Sequence, residues 1–408
     1  MIIDQNKLKR QKQVISKWKA HKAKGTLEAV TGFGKTFVAI LVIQEMNLNK
    51  PERTARVIVP TNYLRKQWEG LINEFKLKNV EVLVINTAVK QNITCDLLIL
   101  DEVHNYVSRT FKTIFRVIKY KFILGLTATM ERADNRHILL ESYCPIIDTI
   151  NMDEALRHKY VSDFRVFNLG ITMNKADAAE YKRIGTKFGK FFSMFGHDFD
   201  TAMRCLSDKA YCALYAKNMG WTPEETFVFA LNFNRNMQAR KKFLYYASSK
   251  LDAAEEIIKT FNVPAITFSE STDFSDLLTE RLPKQCVSYH SKLGVKKKRE
   301  ALKSFKDGRT TVNTINTAKA LDEGFDIAGI MMALICSGTS SQRQDLQRTG
   351  RAIRFSKGKL GMIINLYIKD TQDYKWLLKR QQKTRNIIFV ESIAEIEDIM
   401  NELKLAIC

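Results

Sequence analysis

The stretch AVTGFGKT, residues 29–36, decides how the rest of this sequence is read. A short apolar approach (Leu27, Ala29, Val30) leads into it, and Phe37, Val38, Ala39, Ile40, Leu41 and Ile43 follow directly. The stretch therefore lies where a strand turns into a helix. Gly32 and Gly34 carry no side chain to keep backbone N–H groups from a polyphosphate, and the following helix offers free donors at the positive end of its dipole. Thr31, Gly32, Phe33 and Gly34 would form the cradle, Lys35 would reach the β and γ phosphates, and the Thr36 hydroxyl would suit Mg²⁺. The usual pattern opens on glycine where this sequence has Ala29, so a plain glycine turn stays open on this stretch alone.

A chain of 408 residues exceeds what one core usually supports, so two or three domains are expected, and an apolar fraction of 45% is ample to fill them. No apolar run approaches the ~18 residues of a membrane span, and the opening MIIDQNKLKRQKQ lacks the layout of a signal peptide, so the expectation is a soluble intracellular protein. Cys95, Cys144, Cys205, Cys212, Cys286, Cys336 and Cys408 are scattered, with no C-x-x-C pair, which supports neither a disulfide framework nor a zinc site. The 65 basic residues against 44 acidic leave a net charge of +21. Nucleic acid is the natural partner of such a field.

Ahead of the cradle, Leu8, Val14, Ile15 and Trp18 recur at helical spacing, and Gln13 or Gln11 on that helix could read an adenine edge. Beyond the cradle, Val57–Val59 reads as a strand ending in Pro60-Thr61, where the Thr61 hydroxyl suits a helix cap and a phosphate contact alike. Leu97–Leu100 is a buried-type strand that delivers Asp101-Glu102-Val103-His104 at its carboxyl end, the edge where open α/β sheets bind ligands. One carboxylate there can hold Mg²⁺ while its neighbour polarises an attacking water. A further strand, Phe122–Leu126, ends in Thr127-Ala128-Thr129, either an ordinary polar turn or a hydrogen-bonded link to a second domain.

Taken in order, AVTGFGKT, VIVPT, DEVH and LTAT resemble motifs I, Ia, II and III of the superfamily 2 helicases and translocases, in the DExH subset. Arg10 and Gln13 are similar to the R-x-x-Q element ahead of motif I in that family, which favours Gln13 over Gln11 as the adenine reader.

Residues 151–255 hold few phosphate signals. Val161–Thr172 reads as one or two strands leaving the first domain, and residues 176–239 as several helices. Phe188, Phe191, Phe192, Met194 and Phe195, interleaved with Lys187 and Lys190, fit a small helical core with lysines at its edge or a base-stacking surface. From Ala265 strands and helices alternate again without a second cradle, implying a second parallel sheet that completes the first domain's site. Lys292 and Lys296–Arg299 form a positive patch suited to tracking phosphates. In TAKALDEGFD, residues 317–326, Gly324 could approach a γ phosphate, with Asp326 facing the ribose or an arginine. In QRTGRAIR, residues 347–354, Arg351 and Arg354 share one helical face, and their guanidinium forks suit the charge of a phosphoryl-transfer transition state.

QRTGRAIR resembles motif VI residue by residue, LDEGFD resembles motif V in the branch of repair translocases and restriction-enzyme motors, and Phe268-Ser269 looks like motif IV. The resemblance implies an α/β protein of two RecA-like parallel-sheet domains in tandem with a helical insertion between them. The expected divisions are residues 1–150, 151–255, 256–385 and a C-terminal docking helix at 386–408. It implies ATP and Mg²⁺ as cofactors, with Gln13, Thr31 to Thr36, Gly324 and Asp326 at the nucleotide and Thr36 and Asp101 at the metal. Lys35, Asp101, Glu102, Gln347, Arg351 and Arg354 would carry catalysis. Thr61, Ser269, Lys292 and Thr317 would hold nucleic acid, DNA before RNA. A monomeric ATP-dependent DNA helicase or translocase is the expectation, with an RNA helicase and an ATP-switched nucleic-acid clamp as the alternatives.

Overall fold

The computed structural model describes residues 5–107, 113–130, 138–307, 310–318, 329–339, 360–382, 384 and 386–405. Thirteen strands among them form two all-parallel sheets.

The first sheet contains β1 (Lys24–Ala29), β2 (Ala55–Val59), β3 (Val80–Val84), β4 (Ile93–Asp101), β5 (Ile118–Thr127) and β6 (Ile146–Ile150), in the order β3-β2-β4-β5-β1-β6. Parallel neighbours need crossovers, and α2 (Lys35–Asn49) and α3 (Asn62–Glu74) supply two of them. The order places β5 between β1, which feeds the cradle, and β4, which ends in Asp101. All three carboxyl ends meet along one edge.

The second sheet is ordered β13-β7-β12-β11-β8-β10-β9, from β7 (Asp163–Ile171), β8 (Ala265–Ser269), β9 (Cys286–His290), β10 (Thr314–Ala318), β11 (Met332–Ile335), β12 (Leu360–Ile368) and β13 (Ile387–Val390). Every residue of β12 is buried, as expected of a strand covered on both faces. Period-two alternation sorts its neighbours: Val166 and Ile363 join the buried cluster beneath the first sheet, while Phe167, Ile364 and Leu366 join a second cluster on the opposite face.

Two placements differ from the sequence-based expectation. The segment after residue 161 is one strand leaving the first domain, as expected, but it lies within the stretch 151–255 read as an insertion and pairs with β12 of the second sheet over its whole length, from Asp163↔Leu360 to Ile171↔Ile368. The C-terminal stretch contains β13 as well as the expected helix, Ile393–Leu405, and β13 pairs with β7. Local pattern shows that a segment is extended; it does not show which distant strand it joins.

Four helices stand between β7 and the helix Ser248–Phe261: Lys175–Ser193, Phe199–Ser207, Lys209–Met219 and Pro223–Tyr246. They enclose a core of their own. Phe233 is fully buried at its centre, with the rings of Phe188, Phe192, Phe195 and Phe199 5.0 to 6.4 Å from its own. The aromatic cluster is therefore packing, and Lys190 lies at its edge with its ammonium 6.0 Å from the Phe191 ring centre. The helix Ser248–Phe261 is fastened by a buried ion pair, Lys250 Nζ to Asp373 Oδ2 at 2.6 Å, to the helix Gln372–Arg380, whose Asp373 also accepts from Ile368 N at the end of β12. Among the described residues no helix is long and apolar enough to cross a membrane.

Candidate active site

Between β1 and α2 the chain turns through two glycines in left-handed geometry, Gly32 at φ +96° and Gly34 at φ +91°. Substitution at either is strained by conformation and by space. A Cβ on Gly34 would lie 2.8 Å from Gln11 Nε2, and one on Gly32 would lie 3.1 Å from Val161 Cγ1. Gly34 caps α2 without a side-chain acceptor, so no side chain satisfies the first N–H groups of that helix. Thr31, Gly32, Gly34, Lys35 and Thr36 line this turn, while Phe33 points inward and is fully buried. Lys35 Nζ donates to Ala29 O at 2.8 Å, folded back over its own loop.

Asp101 ends β4 with only 6% of its surface exposed. Trp68, buried on α3, donates from Nε1 to Asp101 Oδ2 at 2.9 Å and fixes the carboxylate's rotation. The Tyr106 hydroxyl lies 2.8 Å from Asp101 O and 2.9 Å from Ile58 O, joining the ends of β4 and β2. Burial pushes the Asp101 carboxyl above its ordinary range, opposed by the Trp68 hydrogen bond and by the charge of Lys35. Glu102 follows in left-handed geometry at φ +52°, unusual for a residue with a side chain. That turn aims its carboxylate toward His104, whose Nδ1 lies 3.5 Å from Glu102 Oε2.

The donor set fits a small hard cation. A hydroxyl at Thr36 and one buried carboxylate at Asp101 are oxygen ligands of the type Mg²⁺ takes alongside phosphate oxygens and water. Among the described residues no group of three or more His, Cys, Asp or Glu side chains could hold a metal without such help.

Other expected residues fall in different places. Gln13 is exposed, and Gln11 is the glutamine that touches the cradle, 3% exposed with Nε2 donating to Phe33 O at 3.0 Å. Arg10 braces its helix, α1 (Gln5–Ala20), by ion pairs to Asp148 and Glu154 at 2.5 and 2.6 Å. Thr61 caps α3, accepting from Leu64 N at 3.3 Å. Lys292 is exposed and pairs with Asp273 at 3.1 Å, and its ammonium holds that carboxyl below the usual range. Ser269 and Thr317 require correction as nucleic-acid contacts. Both are buried, 1% and 0% exposed, because β8 and β10 lie inside the second sheet, and the Ser269 hydroxyl donates to Ser271 O at 2.6 Å. Gly324, Asp326, Gln347, Arg351 and Arg354 lie outside the described residues.

Lys7 and Trp68 also belong to this site, Tyr160 packs behind its loop without facing it, and no sequence motif marks any of the three. Lys7 Nζ donates to Gly32 O at 2.6 Å and to Tyr160 O at 3.0 Å. A buried tryptophan on an amphipathic helix gives no sign that its N–H serves a carboxylate on a neighbouring strand.

The family model described as type III restriction enzyme, res subunit, matches residues 5–95 and 86–132, and that of the helicase conserved C-terminal domain matches residues 249–356. A curated DNA 3'-5' translocase, XPB2 of Sulfurisphaera tokodaii, is 27% identical over 393 residues, covering 91% of this chain and 84% of the relative. The XPB helicase/translocase subunit of general transcription and DNA repair factor IIH from Danio rerio is 26% identical over 294 residues, or 70% of this chain, which spans only 31% of that longer protein. Among solved structures, the helicase domain of Pyrococcus furiosus Hef superposes with a TM-score of 0.55 at 16% identity, covering 92% of this chain and 98% of that one. S. cerevisiae Dbp5 bound to RNA and ADP BeF3 gives 0.61 at 14% identity, covering 97% and 92%. These structural likenesses concern the fold alone, two parallel sheets in tandem. Helicase family models over both sheet-bearing parts of the chain and a DNA translocase relative covering 91% of it indicate a superfamily 2 helicase or translocase of the XPB and repair type.

Proposed function

We propose that this chain is a nucleic-acid-dependent ATPase that couples hydrolysis to movement along, or remodelling of, DNA. One observation carries the reading: the loop that bears Lys35 follows β1 and the buried Asp101 carboxylate ends β4, on the sheet edge where β1, β5 and β4 finish side by side. A lysine for the β and γ phosphates and a carboxylate for their metal are the parts that phosphoryl transfer needs in one place.

Within that site each residue has a distinct task. The uncapped start of α2 and the loop N–H groups receive the phosphates, and Lys35 leaves Ala29 O to meet their charge. Thr36 and Asp101 would hold Mg²⁺, which when bound would neutralise charge on the phosphates. Glu102, turned by its left-handed backbone, orients the attacking water and accepts its proton. Gln13, on the exposed face of α1, reads the adenine. Gly324, Asp326 and Gln347 complete the nucleotide site from the second domain, and Arg351 and Arg354 act as its arginine fingers. Closure of the two domains on ATP assembles the site, and hydrolysis reopens it.

The nucleic-acid path runs over exposed groups. Lys292 and the first turn of the helix Val295–Lys306, which opens on Lys296, Lys297 and Lys298 with no acidic residue and no side-chain cap, offer donors and positive charge together. Thr61 at the start of α3 adds a contact from the first domain. DNA is favoured because the relative matched over most of this chain carries DNA in its name, whereas the likeness to an RNA-bound protein is one of fold at 14% identity. The test is a panel of duplex DNA, branched DNA, single strands and structured RNA at fixed salt. ATPase stimulation by duplex or branched DNA above the other substrates is expected. Stimulation by RNA alone would sink the DNA assignment, and binding without stimulated turnover would leave a clamp.

A further inference from the structure

Phe33 stands in the middle of the phosphate loop, yet it is fully buried. Part of what buries it lies outside the first sheet. Its ring meets that of Tyr160 edge to face, 5.5 Å between centroids at 68°. Tyr160 belongs to the short linker that leads from the first sheet into β7, and its neighbour Val161 rests against the backbone of Gly32. Lys7 closes the contact from a third side by donating to both Gly32 O and Tyr160 O. The linker and the loop are thus held by a ring contact, by van der Waals contact and by a shared ammonium. His158 stacks on Tyr160 as well, 5.5 Å between centroids at 22°.

The chain beyond Tyr160 gives the contact its reach. Asp163 opens β7 and pairs with Leu360 at the start of β12, a short stretch of chain beyond Arg351 and Arg354. β7 is hydrogen-bonded on both sides, to β12 and to β13, so its end moves with the second sheet and not alone. Tyr160, Val161 and Phe164 are 5%, 1% and 1% exposed, and the buried cluster continues through them from Phe33 to Val166. Close-packed interiors transmit strain, so a shift of Phe33 is felt along this buried path.

We infer that Tyr160 is a positioning residue that carries the state of the phosphate loop to the second sheet, through Phe33 on one side and the start of β7 on the other. This rests on the motor reading of the loop. Phosphates entering the cradle reset the backbone from Gly32 to Gly34, Phe33 moves with it, and Tyr160 passes the displacement into the strand that fixes Leu360. Nucleotide occupancy therefore biases domain closure through the linker in addition to any direct contact across the cleft.

Tyr160→Ala removes the ring and keeps the carbonyl that Lys7 holds; Tyr160→Phe keeps the ring. Two readouts separate this inference from the motor reading. The first is triplex displacement per ATP hydrolysed: Tyr160→Ala should fall about tenfold while its basal ATPase stays within about twofold, and Tyr160→Phe should restore coupling. The second is amide hydrogen exchange across residues 158–171 with and without a non-hydrolysable ATP analogue. The analogue should slow exchange at the start of β7 in the wild type and in Tyr160→Phe and leave it unchanged in Tyr160→Ala. Nucleotide-dependent protection in a wild type that shows no stimulated turnover would keep the inference and defeat the motor reading. Full coupling and full protection in Tyr160→Ala would overturn the inference and leave the motor intact. If Tyr160→Ala melts early, Tyr160→Leu, which preserves burial without a ring, takes its place with the same expected losses.

Discussion

His104 Nδ1 lies 2.9 Å from the Thr127 hydroxyl oxygen, tying the carboxyl end of β4 to that of β5. Both residues are fully buried. Because the Thr127 hydroxyl donates to Thr129 O at 2.8 Å, its oxygen is left to accept, and Nδ1 is then the protonated ring nitrogen. The link stays inside the first domain: the histidine beside the acid pair is held by the turn after the neighbouring strand. His104→Ala deletes the donor and leaves a cavity, so stability should fall by about 1–3 kcal/mol. Nucleotide affinity should change less than about threefold, whereas nucleic-acid-stimulated turnover should fall about tenfold, since the turn that carries Glu102 loses its tie to the end of β5. Titration with a fluorescent nucleotide beside stimulated ATPase rates checks this; equal losses in both would point to general damage.

Asp101 makes a prediction of opposite sign for stability. Its folded pKa is raised by burial, so between the ordinary carboxylate value and that raised value the native state holds a proton that the unfolded chain has released. The Asp101 contribution therefore favours folding below this window and weakens as pH rises through it. Asp101→Asn removes the buried charge and keeps an acceptor for Trp68 Nε1. It should stabilise the chain without nucleotide at neutral pH by on the order of 1 kcal/mol, read as a higher melting temperature, and abolish metal-dependent hydrolysis. Thermal melts from pH ~4 to ~8 with and without Mg²⁺ and nucleotide measure it, the window lying above the ordinary carboxylate value. A variant that melts lower at neutral pH would mean that attraction to Lys35 outweighs desolvation.

The sequence announces this site unevenly, and the reasons are physical. Gly32, Gly34, Lys35, Asp101 and Glu102 are legible because cradle and strand end are contiguous, and each uses a residue type with few substitutes. No local pattern assigns β7 and β13 to the second sheet, because parallel pairing joins segments far apart in the chain. Ser269 and Thr317 look like surface hydroxyls from their place at strand ends, yet β8 and β10 are interior strands and their ends are covered. Gln11 and Gln13 lie on the same helix, and only the packing of α1 shows that Gln11 faces the loop. Sequence says of Phe33 merely that it must avoid the phosphates, and its partner Tyr160 is beyond reach of any local pattern.

Phe233 tests whether the four-helix insertion is a separate folding unit. Its ring is the common neighbour of four other phenylalanines, none of which belongs to either sheet's core. Phe233→Ala should cost about 3–5 kcal/mol, concentrated in this small cluster. Limited proteolysis should then cut within residues 175–246 while both sheets survive and basal ATPase is retained. Loss of basal ATPase together with proteolysis throughout the chain would show that the insertion and the sheets unfold as one.

Lys35 separates hydrolysis from nucleic-acid binding. Its ammonium donates to Ala29 O inside the loop that follows β1, whereas the lysines of the helix Val295–Lys306 stand between β9 and β10. Lys35→Ala should lower stimulated ATPase by about a hundredfold or more, because the β and γ phosphates lose their direct cation. DNA affinity should stay within about threefold, and the slope of log affinity against log salt should not change, since that slope counts phosphate contacts and not the overall charge of +21. Lys292→Ala should do the reverse, flattening the slope by nearly one contact and sparing basal turnover. The slope is therefore the sharper measurement. If Lys35→Ala flattened it while basal turnover persisted, Lys35 would be gripping nucleic acid, and the loop of residues 29–36 would no longer be the seat of ATP.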